Sequence, residues 1–466
     1  MSDINALRDF LLKLSEELVN KGAIFADFRL ESYLISSFSI IDGSVKDVTY
    51  GIDSGLAVRV LYKGFWGFSV TSKLDNKDSI RGAVNEAFNA AKALSMKGEG
   101  KSNVYILEAL RDDVKASVKV DPRNVGFDVK VKDSLKLNDL LYKESSVKSV
   151  TIKYADIIGD TVYVSSEGRD IRQELCYTWV YVWVTGRENT ITASVRDELG
   201  SIDGYTVWSK NPQESVAEKL IKKLKMQLRA KTPRGGNYPA VLAPEVVGVF
   251  AHEAFGHLSE ADLTMSGSAV MDKLGKKIAS EEVTIVDDPT IPGGFGTFRY
   301  DDEGVETRPV YLIRKGVIEE LMVNREYAKL LNIEPTGNAR AESYKVPPLI
   351  RMRNTVILPG DYSVDELFED IKFGYYLVSF RGGQANLDGT FQVGIQEAYE
   401  VMNGEIGEPV RNMSISGNTL ETLSLIDAVA KDFKMGYGRC GKGQMVFVSD
   451  GGPHIRVKKI TVGGWE

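Results

Sequence analysis

The sequence predicts a β-rich α+β chain of several domains: a small N-terminal α+β domain, a β-rich middle domain, and a large, mixed, mainly antiparallel C-terminal domain. At 466 residues, the chain is too long for a single hydrophobic core. Helical and strand-like hydrophobic patterns alternate in its N-terminal part, which is typical of α+β domains. Strand-like alternation and glycine-containing turns dominate the remainder, so most of the remaining core is expected to lie between sheets.

Composition excludes several broad classes of function. The chain carries 58 Lys and Arg residues against 65 Asp and Glu residues, so no general affinity for nucleic acid is expected. No apolar run is long enough to span a bilayer, and the N-terminus lacks the pattern of a signal peptide, so no membrane partner is expected. Two cysteines, Cys176 and Cys440, do not form a disulfide framework, which favours a cytoplasmic location and reduced thiols.

The N-terminal domain is predicted to cover residues 1–103. Leucines recur at helical spacing near its start and predict a first helix. Alternating apolar residues predict strands over 28–41 and 56–62, each followed by a turn that contains glycine. A single apolar face predicts a second helix over Lys77–Ser95.

The middle domain is predicted to cover residues 104–231, and its clearest element is an alternating strand. Thr and Val alternate there with aromatic residues, which places four rings on one face of a sheet: Tyr177, Trp179, Tyr181 and Trp183. Two interpretations are open, because this face could pack in the hydrophobic core or form a concave surface that binds a peptide. Cys176 begins the opposite face, whose residues are small, and is expected to be a core thiol.

A basic amphipathic helix closes the middle domain. Its apolar residues recur at helical spacing from Val216 to Leu228. Its cations are expected to form a solvated face: Lys219, Lys222, Lys223, Lys225 and Arg229. The proline- and glycine-containing stretch 232–239 marks the next boundary, so the C-terminal domain is predicted to cover 232–466, with a helix over about 419–433.

Two of the chain's three histidines, His252 and His257, lie in one short segment of the C-terminal domain. Glu253 directly follows the first of them. Two imidazoles can hold a divalent metal, and a neighbouring carboxylate can take a proton from metal-bound water. The arrangement is similar to the His-Glu-x-x-His motif of zinc peptidases but is one residue longer.

The additional residue has a geometric consequence. Residues five apart on an α-helix are rotated by about 500°, so the second imidazole would point roughly 140° away from the first. One π-helical turn absorbs an additional residue and would restore convergence, and such turns favour functional sites. Gly256 lies inside the segment and would tolerate the distortion. The sequence therefore predicts a locally wide or broken helix that begins near Pro244 and runs to His257.

A catalytic zinc usually has three protein ligands and one open position, so a third ligand is needed. Glu260 and Asp262 follow the histidines closely, His454 lies in a turn-rich segment, and Cys440 lies in a glycine-containing loop. The cations expected to lower the pKa of this thiol are its neighbours Arg439 and Lys442. Residue chemistry alone ranks Cys440 first and leaves the other three candidates open.

The segment from His252 to Asp262 resembles the signature of the TldD/PmbA family of metallopeptidases. Further stretches agree with that family along nearly the whole chain: 55–60, 64–69, 298–304, 336–340, 351–355, 382–384, 440–444 and 461–464. The histidine pair resembles the TldD branch, because members of the PmbA branch typically lack it. The resemblance implies that the metal ligands are His252, His257 and Cys440, and that Glu253 is the catalytic base.

The resemblance also implies a function: a zinc-dependent peptidase, with Zn²⁺ or another divalent metal as cofactor, that hydrolyses peptide bonds in unstructured or modified peptides. It implies a homodimer, or a heterodimer with a homologous subunit that lacks the histidine pair. An alternative is a non-catalytic, metal-stabilised binding or scaffold subunit, in which a fourth protein ligand closes the site. Arg299 and Arg340 could stabilise an oxyanion, although structural salt bridging is the expected role of each.

Overall fold

The computed structural model describes residues 4–464. Its N-terminal elements are, in chain order, α1 (Ile4–Asn20), β1 (Phe25–Ile41), β2 (Ser44–Tyr62), β3 (Phe65–Thr71), α2 (Lys77–Ser95), β4 (Leu110–Val114), α3 (Phe127–Leu141), β5 (Val147–Ser165), β6 (Arg169–Glu188), β7 (Ile191–Ser201), α4 (Val207–Lys210) and α5 (Gln213–Arg229). The predicted helix over Lys77–Ser95 is confirmed, and both predicted strands of the first domain begin earlier than expected.

The C-terminal elements follow after a short extended connection. They are β8 (Gly236–Leu242), α6 (Pro244–Val249), α7 (Ala261–Met265), β9 (Ile285–Asp287), β10 (Val310–Arg314), β11 (Val317–Ile318), α8 (Arg325–Leu331), β12 (Ala339–Arg340), β13 (Leu349–Ile350), β14 (Asn354–Ile357), β15 (Phe373–Ala385), β16 (Thr390–Met402), β17 (Glu405–Val410), β18 (Met413–Asn418), α9 (Thr419–Ser424), β19 (Ile426–Val429), β20 (Lys434–Gly441), β21 (Met445–Gly452) and β22 (Ile455–Gly464). Among the helices of residues 4–464, none is both long and apolar enough to cross a bilayer.

One sheet organises the N-terminal part of the molecule. Its strand order is β3–β2–β1–β5–β6–β4, and β7 also pairs with β6. Helices α1 and α2 pack on one end of this sheet, and α3 and α5 pack on the other. Strands from both predicted N-terminal domains therefore share one sheet, and the boundary proposed at residue 103 stays a prediction.

The face of β6 that packs against helices carries small residues rather than aromatic ones. Val180 and Val182 are fully buried in the core formed with α3 and α5, and Cys176 is buried on the same face, which confirms the predicted core thiol. The aromatic rings lie on the opposite face, where Tyr181 and Trp183 remain partly exposed. The interpretation that this aromatic face packs in the core is wrong for those two residues, because the slimmer β-branched side chains fit beneath the helices instead.

The basic face of α5 is less solvated than predicted. Lys223 is only 4% exposed, and its Nζ donates to the Ser379 Oγ at 2.8 Å and lies 3.7 Å from a Glu397 oxygen. The reason is that α5 packs against β16 as well as against the N-terminal sheet. The expectation of a solvated side chain is therefore wrong for Lys223.

Two large sheets and a two-stranded sheet, β12–β13, form the C-terminal part among the described residues. The first large sheet has the order β11–β10–β9–β14–β21–β20, and the second has the order β15–β8–β22–β18–β16–β17. An additional pairing between β15 and β16 closes five strands of the second sheet into a barrel. Only the β14–β21 and β8–β15 pairs are parallel among the pairings described for these two sheets, which confirms the predicted mixed, mainly antiparallel architecture.

The predicted helix over 419–433 is wrong in its second half. Helix α9 ends at Ser424, and β19 follows and pairs with β22. Ile426 and Val429 are buried in this pairing, because β-branched residues fit well on a pleated surface.

Helix α6 lies between the two large C-terminal sheets and contacts both β21 and β15. Five of its six residues are buried, and only Glu245, with a side chain 33% exposed, is not. Val246 and Val247 are fully inaccessible and Phe250, just after the helix, is 1% exposed. A helix that is apolar on nearly every side is stable only when it is covered on nearly every side. The two sheets therefore fix the position of the segment that carries His252 and His257.

A fully buried ion pair joins β9 to the segment before β14, and it generates a stability prediction. The Arg353 Nε lies 2.7 Å from the Asp287 Oδ2, and both side chains are 0% exposed. Because Asp287→Ala would leave the guanidinium buried without its carboxylate, we expect the free energy of unfolding to fall by about 3 kcal/mol or more. Denaturant-induced unfolding followed by circular dichroism measures this change.

The matched control is Glu281→Ala, which removes an exposed ion pair with Lys277. This variant should unfold at the wild-type denaturant concentration. Coincident unfolding curves for Asp287→Ala and the wild type would show that the buried pair does not stabilise the fold.

Candidate metal centre

The helix that carries the histidines widens as the sequence predicts. Helix α6 continues into a π-helical turn over Phe250–Gly256, and a 3₁₀ turn follows over His257–Ser259. The backbone N–H of His257 donates to the carbonyl oxygen of His252, five residues earlier. This turn brings the two imidazole rings to 5.2 Å between centroids. The predicted distortion is therefore confirmed.

Gly256 serves this turn for a different reason from the one predicted. Its φ is −54° and its ψ is −51°, which are ordinary helical values that any residue adopts. A Cβ at this position would lie only 2.0 Å from the Sδ of Met352. Glycine is therefore needed because Met352 packs directly against the backbone, not because the backbone is strained.

The hairpin formed by β20 and β21 brings Cys440 to the histidines. The Cys440 Sγ lies 3.4 Å from the His257 Nε2, and one ligand atom from each of His252, His257 and Cys440 lies within 4.8 Å of the other two. Of the four candidates for the third ligand, the fold places Cys440 beside both histidines.

Arg351 holds this hairpin in place. It is 0% exposed, and its two terminal nitrogens donate to the carbonyl oxygens of Cys440 and Gln444, each at 2.7 Å. Sequence reasoning missed this role, since nothing in the local pattern connects Arg351 with a cysteine 89 residues away.

Glu260 orients a histidine instead of completing the ligand set. Its Oε2 lies 2.9 Å from the His257 Nδ1, and its side chain is fully buried. The Nζ of Lys442 lies 3.2 Å from the same oxygen and donates to Asp262 at 2.9 Å. A carboxylate on the outer nitrogen of a ligand histidine is a common arrangement, and the three-residue spacing from His257 was the available sequence signal.

His454 lies away from this cluster. Its Nδ1 pairs with the Asp432 Oδ2 at 2.8 Å, and its Nε2 lies 3.0 Å from the Tyr376 hydroxyl. Both ring nitrogens are thus engaged elsewhere, so the fold does not bring His454 to the histidine pair.

The charge state of the Cys440 thiol depends on the histidines. Burial opposes ionisation of the thiol, but the positive charge of His252 outweighs it and lowers the pKa of Cys440 to about 4. Burial likewise opposes protonation of His257, but the charge of Glu260 outweighs it and raises the pKa of that histidine. The cluster thus favours the thiolate, which is the form that binds metals. A metal bound there would replace the protons of the two imidazoles, which bind metals only when neutral.

The prediction that Arg439 and Lys442 lower this pKa is wrong. Lys442 is drawn to Glu260 and Asp262, while the Arg439 guanidinium lies 5.5 Å from the centroids of the Trp179 and Phe447 rings.

The two arginines considered for oxyanion stabilisation have different surroundings. Arg299 is about half exposed and forms ion pairs with Asp112 and Glu306, as predicted. Arg340 is 7% exposed, and no carboxylate within residues 4–464 forms an ion pair with it, so its predicted salt bridge is wrong. Neither residue lines the cavity beside the histidines.

Glu253 stands at the wall of that cavity. Its side chain is 27% exposed, and its Oε2 lies 4.0 Å from the His257 Nε2. The cavity has a volume of about 410 Å³ and is also lined by His252, by residues 434–439 of β20, and by Gly382 and Gly383 of β15. We name this space the metal-side cavity.

The residues of this cluster fit a zinc ion. Two imidazoles and a thiolate are ligands that zinc prefers in proteins. The buried Nδ1 of His252 has no hydrogen-bond partner within the described part of the chain, so this polar group is available to a ligand. A metal held by the three residues would border the metal-side cavity.

Cys440→Ala is expected to remove most of the zinc that the protein retains on dialysis, because it deletes one of three converging ligand atoms. Zinc content is measured by atomic absorption. The matched control is Cys176→Ala, which removes the other buried thiol, on β6, and should leave the zinc content unchanged. Equal zinc retention in the two variants would exclude Cys440 as a ligand.

Comparison with known proteins places these features in a family. Models of the PmbA/TldA metallopeptidase family match in order along the chain: domain 1 over residues 26–91, the central domain over 120–228 and the C-terminal domain over 235–464. The zinc metalloprotease TldD homolog of Saccharolobus solfataricus is 42% identical, over 97% of this chain and 99% of that protein.

A metalloprotease of Methanocaldococcus jannaschii is 37% identical, over 96% of this chain and 98% of that protein. The crystal structure of TldE from Thermococcus kodakarensis has the same fold, with a TM-score of 0.80 at 20% identity, over 98% of this chain and 100% of that one. The matches extend over all three parts of the chain, and the chain therefore belongs to the PmbA/TldD family.

Proposed function

We propose that this protein is a zinc-dependent peptidase in which His252, His257 and Cys440 hold the metal and Glu253 is the general base. The observation that carries the proposal is the convergence of two imidazoles and a thiol beside a carboxylate, at the wall of the metal-side cavity. One relative named as a zinc metalloprotease and another named as a metalloprotease support the same class of activity.

Each residue of the cluster would have a separate task. Zn²⁺ at this site would polarise the scissile carbonyl and lower the pKa of a bound water toward neutrality. The carboxylate of Glu253 would accept the proton of the attacking water and deliver it to the leaving amine. Glu260, through its 2.9 Å contact with the Nδ1, would keep the other ring nitrogen of His257 directed at the metal.

The engagement of the other candidate ligands supports an open coordination position. Glu260 and Asp262 both contact Lys442, and both nitrogens of His454 have partners elsewhere. A closed structural site would need a fourth protein ligand, and it would have no use for a carboxylate such as Glu253. These contacts favour the peptidase over the non-catalytic scaffold.

The metal-side cavity favours an extended peptide as substrate. Strand β20 is an edge strand that pairs only with β21 among the described strands, and its residues 434–439 line the cavity. Gly436 and Gly438 leave its backbone without side chains, so a peptide backbone could approach closely and add to this edge. A space of about 410 Å³ admits one extended segment but no folded domain, which favours unstructured substrates.

We also propose that the protein works as a dimer, either of two identical chains or with a homologous subunit that lacks the histidine pair. TldE from Thermococcus kodakarensis has the same fold as this chain, which supports a partner subunit with that fold. Light scattering coupled to gel filtration is expected to give the mass of two chains, and a monomer that is fully active would contradict the proposal.

Glu253→Gln is expected to lower kcat/KM on an unfolded, fluorescently labelled polypeptide by about 10²–10⁴-fold, because the amide cannot accept the proton. Zinc content should stay at the wild-type level, since this side chain is not proposed as a ligand. The control is Glu281→Gln on the surface, which should leave both quantities unchanged. Activity that survives in Glu253→Gln would show that another group is the base.

A further inference from the structure

A second cavity lies between the aromatic face of the N-terminal sheet and the C-terminal part. Its volume is about 550 Å³, which is within the range of small-molecule sites. Strands β1, β2, β5 and β6 supply one wall, and Phe298, residues 300–302, residues 340–344 and β21 supply the other. We name it the interdomain cavity; it borders the metal-side cavity at Arg439, which lines both.

Arg340 is the residue of this cavity whose surroundings favour a bound ligand. Its side chain lies in the wall, is 7% exposed and donates a hydrogen bond from Nη1 to the Met352 carbonyl oxygen at 2.9 Å and another to the Tyr177 hydroxyl. Its other close neighbour is the ring of Phe298, 5.2 Å from the guanidinium carbon. All three neighbours are neutral, and no acid among residues 4–464 forms an ion pair with Arg340, although the charges of Asp302 and Asp287 act on it from a longer distance.

Several other arginines of similar burial have acidic or carbonyl partners within the fold. Arg353 pairs with Asp287 at 2.7 Å, and Arg325 pairs with Glu167 at 2.6 Å. Arg351 has no carboxylate partner, but both of its terminal nitrogens donate to carbonyl oxygens. Arg169, 6% exposed, has no carboxylate partner among residues 4–464 either, but it does not line the interdomain cavity. Arg340 has neither arrangement among residues 4–464, although buried charges in proteins are normally paired.

Asp302, the acid whose charge acts most strongly on Arg340, does not fill this role. Asp302 also lines the cavity, but its Oδ2 lies 3.3 Å from the Arg29 Nη1 and accepts a hydrogen bond from the Ala341 N–H at 2.7 Å. The guanidinium of Arg340 therefore remains available to an anion that enters from the cavity, and a carboxylate is the anion that matches its fork of N–H donors.

The rest of the lining defines what the anion would be attached to. Aromatic rings dominate the walls around Arg340: Tyr33, Tyr177, Trp179, Phe298, Tyr300 and Phe447. Six acidic and three basic side chains line the whole cavity, which disfavours polyanions such as phosphates and tolerates an ammonium group. The lining thus fits a single carboxylate carried by an aromatic or large apolar group, as in a peptide C-terminus or an aromatic amino acid.

We propose that the interdomain cavity binds the free carboxylate of a peptide C-terminal residue or an aromatic amino acid through Arg340, with the apolar group among the rings. This site is separate from the three metal-ligand residues, and the proposal does not depend on the proposed peptidase activity. Because β21 lines the cavity and pairs with β20, a bound ligand would contact the hairpin that carries Cys440.

The test uses 3-phenylpropionate and its neutral amide, which differ only in the group that would meet Arg340. Both are titrated into the full-length, zinc-loaded protein by calorimetry. We expect the acid to bind at least about tenfold more tightly than the amide, because a buried guanidinium gains a charge-assisted pair only with the acid. Arg340→Gln should weaken binding of the acid by a similar factor and leave binding of the amide unchanged. Arg340→Lys should restore part of the affinity for the acid.

Two controls keep the test independent of folding and of the metal. Ala155→Phe places a ring in the cavity from β5 without touching Arg340, and it should also abolish binding of the acid. Acetohydroxamate, which binds zinc, should not compete with the acid. Equal binding of acid and amide, unchanged binding of the acid in Arg340→Gln or in Ala155→Phe, or competition by the hydroxamate would each overturn the proposal.

Discussion

Burial of one largely apolar helix on nearly all its sides is the constraint on which the C-terminal part of this protein depends. Helix α6 and the π-helical turn after it lie between two sheets, and nearly every residue from Pro244 to Gly256 is inaccessible to solvent. A segment covered so completely cannot rotate to suit a ligand, so the direction of each side chain is set by the helix itself. The π-helical turn takes up one additional residue. Two histidines five positions apart therefore face the same point.

The position of Cys440, the third residue of the cluster, depends on a different set of contacts. Cys440 is buried in the core, but its strand β20 pairs on one side only, with β21, among the described strands, so its backbone needs a further restraint. Arg351 supplies the restraint through two carbonyl oxygens, while Glu260 holds His257 and is itself held by Lys442. The buried charges around the cluster are therefore connected, and the removal of one would leave another without its partner in a medium of low dielectric constant.

The two cavities differ in how their charges are balanced. In the metal-side cavity, an unpartnered imidazole nitrogen and a cysteine that favours the thiolate form suit a cation. In the interdomain cavity, the unbalanced group is the guanidinium of Arg340, which suits an anion. Arg439 borders both spaces and stacks on Trp179 and Phe447, so the aromatic face of β6 forms the region where the cavities meet. That face could not enter the helix-covered core, because the valines on the other side of the strand occupy it.

The sequence by itself determined the elements whose signals are local. The additional residue between His252 and His257 predicted the wide helical turn, and alternating residues predicted the mainly antiparallel strands. Tertiary structure alone decided what depends on residues far apart in the chain: Cys440 among four candidate ligands, the burial of Lys223, the strand after Ser424, and the unpaired charge of Arg340. The physical reason is that periodicity reports which face of an element is apolar, whereas the partner of a buried polar group is set by packing between elements.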